Sequence, residues 1–296
     1  MKPVVVIEEP TALKCLIEAL RHTTHIAIDT ESNSFYAYFE RVCLIQISTP
    51  QDDFIIDPFA IEDLSPLQDA LADPSIEKVF HAAPNDVLGL KRDFHFEFHN
   101  LFDTAVACKL LGYKELGLAK ILQQHFDVTL NKKWQRCDWG RRPLSEQQLD
   151  YARLDTHHLP ALRHLRAADL VARELWDTAK EVSERTGEQE AQQKVFHPEG
   201  FIQIRGARLL DPVGRRVLRA LYLYRDHEAR RRDRAPFRVL SDETLVRLAA
   251  NRPKSLEDFV KIKGLPRPFH NSRSAGHLLS VIRKWEHRAE EANATS

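Results

Sequence analysis

The sequence has no long apolar run, few cysteines and no excess of charge of either sign. Its 296 residues include four widely spaced cysteines, with neither a CxxC pair nor a Cys/His spacing that would bind zinc. They are expected to be reduced thiols of an intracellular protein. No segment approaches the roughly 20 apolar residues of a membrane span. MKPVVVIEEP has too short an apolar stretch for a signal peptide. These absences predict a cytoplasmic protein with no membrane partner.

The net charge does not point to any particular kind of partner, because Lys+Arg and Asp+Glu both number 43. The distribution of charge is more informative. The stretch 131–142 reads NKKWQRCDWGRR, and the interval 205–238 holds eleven arginines against four acids. Local basic patches of this kind can follow a phosphate backbone even in a neutral chain. A solvated helical face is the equally weighted alternative for either stretch.

Alternating strand and helix patterns in the first part of the chain predict an α/β fold. Three strand-like runs, at 25–30, 42–48 and 53–57, are separated by loops short enough for an antiparallel meander. Strand–helix units follow, which predicts a mixed sheet flanked by helices.

After about residue 205 no strand pattern returns. Pro212 can begin a long helix and Ser241 can cap the next one. We therefore predict an α/β domain over 1–170, a connecting helix and linker over 171–209, and a small all-α domain over 210–290.

Two acids follow each other on the strand pattern HIAIDTES. Strand alternation puts Ile26 and Ile28 on one face and Asp29 and Glu31 on the other. Neighbouring carboxylates repel one another and lose solvation, and a divalent cation would make them favourable together. A strand end that simply enters solvent is the alternative.

A second motif, LDYARLDTHHL, places Tyr151 and Asp155 one helical turn apart on a shared face. The alternative is a purely structural contact, in which a tyrosine packs over an aspartate on a surface helix. Asp86, at a helix start, is a candidate ligand or a simple complement to the helix dipole. Asp103 competes for that ligand position, although its place directly before a helix favours a plain N-cap. His81 is interpreted as a structural histidine.

In this order, DTE, an aspartate after HAA, and YxxxD resemble the DEDD exonuclease superfamily in its Tyr subtype. The other branch has histidine five residues before the last aspartate, where this chain has Asp150. The flanking stretches RVCLIQIST, KVFHAAPND, LFDTAVACKLLG and WGRRPLSEQQL are similar to ribonuclease D. The helical region, from DPVGRRVLRAL to LEDFVKIKGL, resembles the HRDC domain of ribonuclease D and RecQ-type helicases. The stretch FHNSRSAGHLL departs from that domain's usual pattern.

This resemblance implies a ribonuclease H-like fold and metal-dependent release of nucleoside 5′-monophosphates from RNA 3′ ends. The implied cofactors are two divalent cations, Mg²⁺ or Mn²⁺, which oxygen ligands suit. Tyr151 would orient or deprotonate the attacking water. The implied partner is RNA with a free 3′ end, with tRNA precursors as the family-based expectation. A monomer is favoured. The implied metal ligands are Asp29, Glu31, Asp86 and Asp155.

Contacts to the substrate are predicted from two further stretches. Aromatic side chains directly after DTE can stack on terminal bases or can pack within a loop. Basic side chains of the 131–142 stretch can hold phosphates. These candidates are Phe35, Tyr36, Tyr38, Lys132, Lys133 and Arg136.

Two rival functions stay open at this point. One is a 3′–5′ DNA exonuclease, because no residue demonstrates recognition of a 2′-hydroxyl. The other is a catalytically silent nucleic-acid-binding protein. The second is disfavoured because clustered carboxylates beside phosphate have no purpose in a binder.

Overall fold

The structure, a computed structural model, describes residues 2–131, 133–191, 195–270 and 273–288, and the backbone of 289–294. The chain forms two compact units. Unit 1 comprises Met1–Asn33 and Arg41–Gln193, and unit 2 comprises Ser34–Glu40 and Lys194–Ser296. The domain boundaries predicted at 170 and 210 stay a prediction. No helix in the described part of the chain is both long and apolar enough to cross a membrane.

Unit 1 is built on a six-stranded mixed sheet with the order β1-β4-β3-β2-β5-β6. The meander of β2, β3 and β4 is antiparallel, and β1, β5 and β6 join it by parallel pairing. The predicted mixed α/β sheet is therefore confirmed. Its strands are β1 (Val5–Ile7), β2 (His25–Ser32), β3 (Val42–Ser48), β4 (Asp53–Ile56), β5 (Glu77–Phe80) and β6 (Leu101–Asp103).

Helices cover both faces of this sheet. Isoleucines at alternate positions of β2 and β3 pack with α1 and α3 on one face. The intervening positions face α4 to α7. The helices are α1 (Pro10–Leu20), α2 (Gln68–Ala72), α3 (Pro84–Phe94), α4 (Thr104–Leu110), α5 (Leu118–Phe126), α6 (Glu146–His157), α7 (Leu159–Ala172) and α8 (Trp176–Glu188).

Unit 2 is helical, as the sequence predicts. Asp211 caps α9 by accepting from the Gly214 N–H at 2.5 Å, and Ser241 caps α11 by accepting from the Thr244 N–H at 3.2 Å. One apolar core joins α9, α11 and α12. The helices are α9 (Pro212–Arg231), α10 (Pro236–Val239), α11 (Asp242–Asn251) and α12 (Arg273–Ala294).

The segment Ser34–Glu40, which leaves β2 and returns to β3, packs as part of unit 2. Asp233 accepts from the backbone N–H groups of Tyr38 at 3.0 Å and Phe39 at 2.9 Å. The N–H of Ala235 donates to the carbonyl of Tyr36 at 2.9 Å. The Tyr38 ring packs against the apolar core of unit 2. The chain directly after the DTE motif is therefore held by residues between α9 and α10, almost 200 positions later.

Candidate active site

Asp29 and Glu31 lie on β2, which is a central strand of the sheet. In the antiparallel pairing with β3, Asp29 is opposite Gln46 and Glu31 is opposite Leu44. The face they share is the one on which α6 packs, because Leu44 belongs to the same apolar cluster as Tyr151 and Ala152. The predicted alternation along HIAIDTES is therefore what turns both carboxylates toward α6.

The start of α6 is fixed by a capping box. Ser145 Oγ accepts from the Gln148 N–H at 3.3 Å, and the Gln148 side chain accepts from the Ser145 N–H at 3.1 Å. With that start, Tyr151 and Asp155 fall on the buried face, each 8% exposed. Burial, and then the charge of Asp155, raise the pKa of the Tyr151 phenol. The Tyr151 ring also stacks on Trp139, with centroids 6.1 Å apart.

Three of the four predicted ligands converge. Oxygen atoms of Asp29, Glu31 and Asp155 all lie within 4.8 Å of one another. Two of these acids come from β2 and the third from a helix more than 120 positions later, so their meeting is a product of the fold. The spacing suits carboxylates that share a cation.

Asp86 lies beside this group, in the first turn of α3. One of its oxygens, Oδ1, accepts from the Thr30 N–H at 3.1 Å and from the Thr30 hydroxyl at 2.6 Å. It is outside the set of mutually close atoms. Its charge nevertheless contributes to raising the pKa of both Asp29 and Asp155. The structure thus leaves Asp86 at the edge of the group, with one oxygen already bonded to β2.

Asp103 and His81 have structural roles, as predicted. Asp103 caps α4 by accepting from the Ala105 N–H at 2.8 Å. It also accepts at 2.9 Å from the N–H groups of Ala82 and Ala83. Ala82 has a φ of +64°, so Asp103 holds a strained turn directly before α3. Both ring nitrogens of His81 are bonded, one to Thr104 at 2.8 Å and one to the carbonyl of Leu116 at 2.7 Å.

The clustered carboxylates resist ionisation. Burial, followed by repulsion from the other acids, raises the pKa of Asp29 and Glu31 well above their ordinary values. Burial raises the pKa of Asp86 to about 6 despite the hydrogen bonds from Thr30. Burial and the charge of Asp86 raise the pKa of Asp155 to about 7. Each carboxylate therefore favours a proton or a cation over a bare charge.

Sequence reasoning missed the set of polar residues that fastens α6 to the sheet. Asp53 on β4 accepts from Arg153 at 2.6 Å and from Ser48 at 2.7 Å, and lies 2.9 Å from His157 Nδ1. Ser48 also pairs with Thr156 at 2.7 Å. Although burial alone would raise the pKa of Asp53, the hydrogen bonds from these partners hold it below its ordinary value. The signal in the sequence was the RLDTH segment of LDYARLDTHHL, which contains Arg153, Thr156 and His157.

The residues present fit a divalent metal. Their donors are all carboxylate oxygens, the chemistry that hard cations such as Mg²⁺ and Mn²⁺ prefer. The charges that shift the pKa values of Glu31 and Asp155 are those of other acids of the cluster. A bound cation would supply the positive charge that offsets this repulsion.

The raised pKa values predict how pH changes stability. The folded pKa values of Asp86 and Asp155, about 6 and about 7, exceed the ordinary 3.8. Their contribution to the free energy of unfolding is therefore present at low pH and lost as pH rises from about 4 to about 7. A bound divalent cation would take the place of these protons. The rise in Tm caused by Mn²⁺ should thus be larger at about pH 8 than at about pH 5.

This prediction is checked by thermal denaturation with Mn²⁺ and with EDTA across that range. Subtracting the EDTA curve from the Mn²⁺ curve removes the contribution that groups elsewhere in the fold, which bind no metal, make to the pH dependence of Tm. An equal shift at both ends of the range would contradict the assignment.

The predicted substrate-contacting residues are not all in one unit. Tyr38 donates its hydroxyl to Asp226 at 2.8 Å within unit 2. The Tyr36 ring lies 3.7 Å from the Arg238 guanidinium, also in unit 2. Phe35 is 44% exposed. Lys133 and Arg136 are exposed in unit 1, and Lys132 lies outside the described residues.

Comparison with known proteins gives two matches to protein families. Residues 4–165 match a family described as 3′-5′ exonuclease, and residues 214–282 match the HRDC domain. The "Exosome complex component 10 homolog" of Caenorhabditis elegans is 34% identical over 284 residues, or 95% of this chain and 32% of that protein. The chain spans less than half the length of the curated relatives it matches.

Solved structures agree over nearly the whole chain. The catalytic core of RRP6 from Trypanosoma brucei has a TM-score of 0.87 and 28% identity, covering 97% of this chain and 80% of that one. Escherichia coli RNase D, described as an exoribonuclease involved in structured RNA processing, has a TM-score of 0.70 and 30% identity. That match covers 96% of this chain and 76% of the RNase D chain.

Proposed function

The chain belongs to the DEDD 3′-5′ exonuclease family and carries an HRDC domain, and from this premise we propose that it removes nucleotides stepwise from RNA 3′ ends. The observation that carries the proposal is the approach of Asp29, Glu31 and Asp155 to within 4.8 Å. These are the residues at which the family's acidic motifs fall in this sequence. The expected product is a nucleoside 5′-monophosphate.

Divalent cations, when bound, supply charge stabilisation on both sides of the scissile phosphorus. Asp29, Glu31 and Asp155 would hold them, and Asp86 would complete the set through the oxygen that Thr30 does not use. We propose that the natural ion is Mg²⁺ or Mn²⁺.

Tyr151 keeps its proton in this proposal. Burial and then the charges of Asp155, Glu31 and Asp29 raise the pKa of its phenol further above the ordinary value. Of the two roles predicted from the sequence, orienting the attacking water fits this environment, whereas deprotonating it does not. The ring that carries the phenol is fixed for that role by stacking on Trp139.

The similar proteins favour RNA over DNA as the substrate. The two similar structures named above are RRP6 and an exoribonuclease, and the curated relative is named for the exosome. Precursors of tRNA stay the expectation derived from the resemblance to ribonuclease D. We extend the proposed substrate class to structured RNAs with a free 3′ end.

Single-stranded RNA would be bound partly by aromatic side chains of unit 2. Phe35 and Phe237 are 44% and 52% exposed, and their rings meet edge to face at 6.4 Å. The Arg238 guanidinium, 3.7 Å from the Tyr36 ring centroid, adds positive charge. Exposed aromatic faces beside arginine are what base stacking and phosphate attraction require. In unit 1, Lys133 and Arg136 are proposed to contact backbone phosphates.

Replacing Phe35 or Phe237 by alanine should weaken binding of a single-stranded RNA tail by about 1–3 kcal/mol, because one stacked base is lost. Turnover at saturating RNA should not change. Fluorescence anisotropy with a labelled oligonucleotide measures the effect. Leu209→Ala is the matched control, since Leu209 is 90% exposed in the same unit but has no ring. Equal affinities for all three variants would remove this surface from the proposal.

The function itself is tested by digestion of 3′-labelled and 5′-labelled oligonucleotides with Mg²⁺, with Mn²⁺ and with EDTA. We expect metal-dependent, stepwise shortening of RNA from the 3′ end. Shortening of DNA but not of RNA would favour the DNA exonuclease. Binding without shortening in either metal would favour a silent binder.

A further inference from the structure

Gln46 is the one residue of the described chain whose side-chain nitrogen and oxygen are both buried without a hydrogen-bond partner. It lies in the middle of β3 and is 0% exposed. Leaving a buried amide unpaired costs on the order of 1–3 kcal/mol, so such a group calls for an explanation. A leucine at this position would fill similar space without that cost.

The pairing of β2 and β3 places this amide beside the carboxylates. Gln46 is the direct cross-strand neighbour of Asp29, and directly opposed side chains share a face with Cβ atoms roughly 4.5–5.5 Å apart. An amide on that face is within reach of the Asp29 carboxylate by rotation about its side-chain bonds.

Neighbours along β3 locate the amide under α6. Leu44, two residues before, packs in one cluster with Tyr151 and Ala152. Ser48, two residues after, lies 2.7 Å from the Thr156 hydroxyl. Gln46 therefore faces the helical turn between Ala152 and Thr156, which carries Asp155.

We propose that Gln46 is a positioning residue for the metal site: its amide, unpaired in this structure, would rotate to donate its N–H groups to the Asp29 and Asp155 carboxylates when they bind a cation, and would hold them in the geometry that the cation requires. Ligating carboxylates in proteins are themselves hydrogen-bonded, and those partners orient the ligand oxygens. A glutamine suits this place because it donates without carrying a positive charge. A lysine or arginine there would compete with the cation.

The inference rests on the proposed metal site, and its test is separable from RNA cleavage. Gln46→Leu should weaken Mn²⁺ binding, measured by calorimetry on the full chain, by roughly 10–100-fold. The Tm of the metal-free protein should stay the same or rise, because an unpaired buried amide is removed. With RNA, kcat should fall by a similar factor in limiting Mn²⁺ while KM for RNA is unchanged.

Two further variants keep the result interpretable. Gln46→Met preserves an unbranched chain if leucine packs poorly, and it should show the same loss of Mn²⁺ affinity. Ile47→Val, the adjacent residue on the opposite face, should bind Mn²⁺ like the parent protein. Parent-like Mn²⁺ affinity in both Gln46 variants overturns the proposal, as does failure of both to fold. Normal Mn²⁺ binding by the parent without any RNA cleavage would instead count against the proposed function alone.

Discussion

Asp29→Asn is expected to abolish turnover while making the metal-free protein more stable. The loss should be about 10³-fold or more, because the cations contribute several kcal/mol to the transition state and each 1.4 kcal/mol is a factor of ten. Stability should rise because the neutral amide removes one of three acids held within 4.8 Å. An ordinary structural aspartate would behave in the opposite way, since losing its partners would lower Tm.

This pair of effects is measured by a digestion assay and by thermal denaturation with EDTA. The rise in Tm on adding Mn²⁺ should shrink in the same variant, while affinity for RNA stays near that of the parent. Asp52→Asn is the matched control, because Asp52 is an aspartate of unit 1 paired at the surface with Lys2 at 2.7 Å. Normal digestion by the Asp29 variant would show that the reacting site lies elsewhere.

The parts of this site that follow from local chemistry could be predicted from the sequence. Strand alternation fixed the shared face of Asp29 and Glu31, and helical spacing brought Tyr151 over Asp155. Capping chemistry separated Asp103, which caps α4 by accepting from the Ala105 and Val106 N–H groups, from the ligand candidates. Each of these rests on residues within a few positions of one another.

Features that depend on distant pairing could not be predicted in this way. Gln46 is an unremarkable polar residue in a strand until its register with Asp29 is known. Likewise, no periodicity in the aromatic segment after DTE indicates that Asp226 and Asp233 will bind it. The sequence left base stacking and loop packing as equal alternatives for Tyr38, whose hydroxyl donates to Asp226 and whose ring packs on the core of unit 2.

The sequence motifs identified the correct family, but the likeness to ribonuclease D named only one of several similar members. The exonuclease and HRDC matches confirm the DEDD family with its helical domain. Ribonuclease D is one structural relative, and RRP6 and exosome component 10 are others of comparable or greater similarity.

Tyr151→Phe is expected to slow hydrolysis by roughly 10²-fold or more while leaving metal and RNA binding almost unchanged. The substitution keeps the ring stacked on Trp139 and removes only the hydroxyl that orients water. Because the pKa of the phenol is raised, the parent enzyme should show no gain in kcat from tyrosinate formation near neutral pH. The dependence of kcat on pH should instead reflect the ionisation of the clustered carboxylates.

Single-turnover kinetics with saturating RNA and Mn²⁺ isolates this step. Tyr113→Phe, which removes a hydroxyl bonded to Arg166 elsewhere in unit 1, should retain normal turnover. If the Tyr151→Phe variant proved as fast as the parent, the hydroxyl would contribute nothing to the reaction. Tyr151 would then have a packing role only.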